Sequence, residues 1–112
     1  VLRYFERVAA ASPRVTLDTL GRTFEGREYI TAVVTSERNH ARRAAIQADA
    51  KRLADPRGLS AADEAALRAR MPAIVLLAYT VHGNEASGTE AALATLYEWA
   101  ATTDPAKLAL LD

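Results

Sequence analysis

The residue order predicts an α/β fold, a mixed β-sheet flanked by helices. Two stretches carry the clearest strand character: the β-branched run Tyr29 to Thr35, and the continuous apolar run Ala73-Ile74-Val75-Leu76-Leu77-Ala78-Tyr79. Helical stripes stand on either side of them. The order helix, strand, strand, helical pair, strand, helix fits a layered sheet better than a helical bundle.

Each element has a local reason. Leu2, Phe5, Val8 and Ala9 share one helical face, and Ser12-Pro13 ends that segment. Val15, Leu17 and Leu20 predict a short strand. Gly21 and Gly26 bracket a polar turn, after which Tyr29 to Thr35 is expected to pair antiparallel with the first strand. The charged section from Glu37 to Arg70 carries Ile46, Ala50, Leu53 and Ala54 at helical spacing, and Asp55-Pro56-Arg57-Gly58 breaks that helix. Ser60 followed by Asp63 predicts a capped start for the next helix, with Leu67 on its apolar side. Pro72 precedes the third strand. Thr89, Leu93, Leu96, Tyr97 and Ala100 then form a helical stripe. Asp104-Pro105 reads as a further helix start, with Asp104 as N-cap and Pro105 in the first turn. That late start, and a first residue Val1 without a preceding methionine, predict a fragment of a longer protein.

Composition bounds the class without naming the activity. The chain has 112 residues, half of them hydrophobic, with 14 basic and 14 acidic side chains. A zero formal charge supplies no net field to attract nucleic acid or anionic lipid. Arg38, Arg42, Arg43 and Arg52 are diluted by Asp49, Asp55, Asp63 and Glu64, which is the pattern of a solvated helical surface. Cysteine is absent, which excludes disulfides, thiolate metal sites and cysteine nucleophiles. No stretch reaches the roughly 18 apolar residues of a membrane span. The expectation is therefore no nucleic acid and no membrane partner. Tyr97 and Trp99 are expected to be packing residues.

The chemistry concentrates at His82-Gly83-Asn84-Glu85, where the apolar run gives way to the helical stripe. Zinc accepts imidazole nitrogen and carboxylate oxygen at about 2.0–2.2 Å and needs their lone pairs aimed at one point. A short turn through Gly83 and Asn84 could bring Glu85 beside His82, with Gly83 free to adopt unusual backbone angles. Strand carboxyl ends are also where open α/β sheets bind ligands. A structural role competes: Asn84 could cap the next helix, Ser87 and Glu90 match a capping box, and Glu85 could complement the helix dipole. Spacing and placement alone leave both readings open.

The longer segment His82-Gly83-Asn84-Glu85-Ala86-Ser87-Gly88-Thr89-Glu90-Ala91-Ala92-Leu93 resembles the first zinc-binding segment of the zinc carboxypeptidases, peptidase family M14. Upstream, Leu20-Gly21-Arg22-Thr23-Phe24-Glu25-Gly26-Arg27-Glu28-Tyr29-Ile30 is similar to that family's turn between its first two strands. The resemblance spans most of the chain apart from 37–71, which looks like a helical insertion. It implies residues 1–112 as the N-terminal part of a catalytic domain with a phosphorylase/hydrolase-like fold. It also implies Zn²⁺ as cofactor, His82 and Glu85 as metal ligands, and a peptide substrate for the full-length protein. The residues themselves give no compartment; the resemblance alone implies a secreted or periplasmic one.

The family's remaining parts do not map onto these residues. No histidine follows His82, and His40 lies in a charged segment, where an exposed position without a ligand role is expected. The second histidine, the general-base glutamate and the substrate-binding arginines are expected beyond Asp112. Arg22 and Arg27 read as turn residues, and no catalytic residue is assigned within the chain. The isolated chain is therefore expected to be inactive. Two alternatives stand beside this reading: a zinc-dependent N-acyl amino acid deacylase of the same superfamily, and a non-catalytic interaction module. A three-strand sheet with open edges also predicts self-association.

Overall fold

The computed structural model describes residues Val1 to Asp112 and contains six helices and one antiparallel strand pair. Helix α1 (Leu2–Ala11) leads into β1 (Val15–Arg22) and β2 (Glu28–Val34). These strands pair from Val15 opposite Val34 to Arg22 opposite Glu28. The register slips between Thr19 and Gly21, a bulge that leaves Leu20 without a partner. Leu20 has the opposite parity to Val15 and Leu17 and is exposed. At the hairpin tip, Gly26 adopts φ +76°, a left-handed conformation that glycine reaches without a Cβ clash. Its N–H donates to the Thr23 carbonyl, and Arg22 donates to its carbonyl at 2.9 Å. Arg22 also pairs with Glu28 and Arg27 with Glu25, so both arginines are held by the turn they belong to.

The section after the hairpin folds as α2 (Glu37–Ala41), α3 (Arg43–Ala54) and α4 (Ala61–Arg70). Ser36 and Ser60 cap α2 and α4 by accepting from Asn39 N–H and Asp63 N–H. Helix α2 escaped the sequence reading because five residues cannot display an apolar stripe. Arg70 grips Asp49 with two bonds of 2.6 Å and ties the end of α4 to α3. Arg43 likewise pairs with Asp18, fastening α3 to β1. The arginines of this section are engaged within the molecule: Arg42 donates to Asn39 Oδ1 and the Arg70 carbonyl, and Arg52 to two backbone carbonyls.

Helix α5 (Ala86–Ala101) crosses back to α1, and α6 (Pro105–Leu110) starts at Asp104, which caps Ala106 N–H at 2.9 Å. Tyr4 donates to the Leu93 carbonyl, Ser12 to the Ala100 carbonyl and Arg14 to the Thr102 carbonyl, so α1 and its exit loop are stitched to α5. Val15 and Leu96 are the buried apolar residues of this layer, and Leu67 is the buried one of α4.

The main departure from expectation is the third strand. Residues 71–80 carry no assigned secondary structure, and 73–79 form no backbone–backbone hydrogen bond. The sheet has two strands, antiparallel, not three in a mixed arrangement. A run apolar on every residue suits burial on both faces, and this chain supplies no layer to cover it. Ile74, Val75, Leu76, Leu77 and Val81 are all more than half exposed.

Candidate metal centre

His82 and Glu85 stand at the two ends of one turn. The His82 carbonyl accepts from Glu85 N–H at 3.3 Å and from the Thr80 hydroxyl at 2.8 Å. A turn closed in this way keeps the Cα atoms of its first and fourth residues within about 7 Å. That span lets an imidazole and a carboxylate reach one cation. Both side chains are exposed, and neither makes a hydrogen bond or ion pair, so their lone pairs are free to bind. Gly83 does not use the left-handed region, contrary to expectation; the turn is closed in a conformation open to other residues. A Cβ at Gly83 would meet nothing within 4 Å, so the space over the turn is open.

The helix beyond the turn begins at Ala86 with Glu85 at the N-cap position, and no side chain caps it. The capping roles considered for Asn84 and Ser87 are not used, which leaves the Glu85 carboxylate unspent. Gly88 sets the position of the turn. A Cβ there would overlap the Tyr79 carbonyl oxygen and lie 2.9 Å from the Thr80 Cβ. The first turn of α5 therefore rests directly on the backbone that ends the apolar run. Thr80 and Gly88, neither singled out from the sequence, together hold the His82 backbone. A glycine one turn into a helix that follows an apolar strand was the available signal, since close helix–strand packing needs it.

The donor set is two, not three. No group of three histidine, cysteine, aspartate or glutamate side chains converges anywhere in the chain. His40 is half-buried, not exposed as expected, because its Nε2 lies 2.9 Å from the Arg14 carbonyl. A carbonyl cannot donate, so Nε2 carries the proton and serves the junction of α2 with the start of β1. Tyr97 also departs from expectation. It is 61% exposed, while Trp99 is the half-buried aromatic. The residues present suit one half of a zinc site: one imidazole and one carboxylate, both unengaged, on a turn fixed from both sides.

Comparison with curated proteins and with solved structures returns no match. The model of the zinc carboxypeptidases (Peptidase_M14) matches residues 1–112, the whole chain. With the full length matched and the His82–Glu85 turn at the end of its apolar run, the chain belongs to the zinc carboxypeptidase family.

Proposed function

We propose that His82 and Glu85 are two protein ligands of a catalytic zinc in a metallocarboxypeptidase that removes C-terminal residues from peptides. The observation supporting this reading is the hydrogen-bonded turn, which brings the two residues close along the backbone and leaves both side chains unpartnered. Bound zinc would polarise the scissile carbonyl and lower the pKa of an attacking water. The contribution of this chain is positional. Thr80 pins the His82 carbonyl, and the glycine at 88 lets α5 press on the end of the apolar run, so the imidazole starts from a fixed backbone.

Two ligands without a neighbouring base make a weak site and no hydrolase. The 112-residue chain is expected to bind zinc but not to release C-terminal residues from a peptide. Calorimetric titration of the chain with zinc tests the first half. His82→Ala and Glu85→Ala should each weaken binding by roughly tenfold or more, since even supporting residues of metal sites contribute that much. Unaltered affinity in both variants would remove the turn as a zinc site. Zinc-dependent release of C-terminal residues by the purified chain would refute the second half.

A further inference from the structure

We propose that the groove between α1 and α5 docks an acidic, amphipathic peptide segment. The groove has a volume of about 570 Å³ and is lined chiefly by Arg3, Tyr4, Arg7, Val8, Tyr97 and Ala100. Its charge is unusual for this molecule. Seven arginines hold a carboxylate: Arg22, Arg27, Arg38, Arg43, Arg57, Arg68 and Arg70. Arg14, Arg42 and Arg52 donate to carbonyl oxygens. Arg3 and Arg7 alone have no partner, and both line this groove. Glu6, the acid between them in sequence, does not.

The two guanidiniums lie one helical turn apart, with Cβ atoms about 5–6 Å from each other. Each has the planar fork that matches a carboxylate. Between them and Tyr97 runs an apolar floor that includes Val8 and Ala100. Arginine and tyrosine are the residue types that dominate binding energy at protein interfaces. Its lining comes from α1 with its exit and from α5, which suits a peptide laid between the two helices. Apolar residues of the peptide would occupy the floor, and its carboxylates would meet Arg3 and Arg7. The site is separate from the zinc turn. Tyr97 stands eleven residues beyond the start of α5, about 16 Å along the helix.

Fluorescence anisotropy with labelled peptides of repeated Glu-Leu-Leu, Gln-Leu-Leu and Lys-Leu-Leu units tests the proposal on the full chain. The glutamate peptide should bind, with an affinity that falls as salt rises. The Arg3→Glu/Arg7→Glu double variant should lose roughly tenfold or more of that affinity. Lys51→Glu, a charge reversal at an exposed cation of α3, should leave it unchanged. Arg3 and Arg7 are themselves exposed, so the double variant should keep the parent far-ultraviolet circular dichroism. Equal binding of the three peptides would overturn the proposal, as would full affinity in the double variant. Arg3/Arg7-dependent binding to phosphatidylglycerol vesicles, with no binding of the glutamate peptide, would overturn it in favour of a lipid surface.

Discussion

Gly88 is the residue on which the candidate site depends without belonging to it. A methyl group there would overlap backbone, not the yielding end of a flexible side chain, so α5 and the segment before His82 must separate to admit it. Gly88→Ala should cost about 1–3 kcal/mol of stability, the usual range for overpacking, despite alanine's better helix propensity. It should also weaken zinc binding by moving His82. Thermal or urea denaturation checks the first effect; a variant as stable as the parent would show that the close approach is absent in solution.

Asp18 sets the acid side of the stability profile with two other carboxylates. Hydrogen bonding from Arg43 holds the Asp18 carboxyl below the usual aspartate range, against the opposing effect of burial. Arg70 does the same for Asp49, and Arg57 for Asp55. A carboxylate with a depressed folded pKa stabilises fully above its unfolded value, about 3.9, and loses that contribution as pH falls through the folded value. Urea unfolding from neutral pH down through this range should show stability declining with acid. Asp18→Asn should decline less steeply, because Asp49 and Asp55 then carry the remaining dependence. Parallel curves for the two proteins would mean that the Asp18–Arg43 pair does not form.

At the scale of elements, the sequence was most legible where a local rule acts alone. The caps at Ser60 and Asp104, the break at Asp55 to Gly58 and the β1–β2 pairing all follow from residues within a few positions of each other. What required long-range contacts was not legible. Helix α2 is anchored by Asn39, 1% exposed, whose amide donates to Thr35 Oγ1 and to the Leu111 and Asp112 carbonyls. A buried asparagine bridging the hairpin exit to the end of α6 has no signature in a window of neighbours. The apolar run 73–79 was legible in character but not in state, since strand propensity describes a surface waiting for a neighbour. The His82–Glu85 turn could be read from spacing. Its anchorage by Thr80 and Gly88 could be seen only once the helix lay across the end of the apolar run.

As a whole, the molecule is more open than its length requires. A compact chain of this mass would expose about 6,000 Å², whereas this one exposes 8219 Å². Its radius of gyration, 16.4 Å, likewise exceeds the roughly 13 Å of a compact domain. Only five residues are buried, and eleven large apolar side chains, Ile74 to Leu77 among them, are exposed. We infer that this surface drives self-association, with the unpaired backbone of 73–79 as the pairing edge. Light scattering should show mass rising with protein concentration. Val75→Lys with Leu77→Lys should shift the chain toward monomer, because charge on an edge strand opposes pairing. A monomer at high concentration in the parent would contradict this.

The two imidazoles offer the sharpest test of whether this turn is half of a zinc site. The chain contains only His40 and His82, and His40 has one ring nitrogen committed to the Arg14 carbonyl. Long-range nitrogen–proton NMR resolves both rings during zinc titration. The His82 ring nitrogens should shift with zinc while those of His40 stay in place, and Glu85→Ala should weaken the His82 response. Zinc shifts confined to His40, or equal in both rings and indifferent to Glu85→Ala, would remove the turn as that half-site.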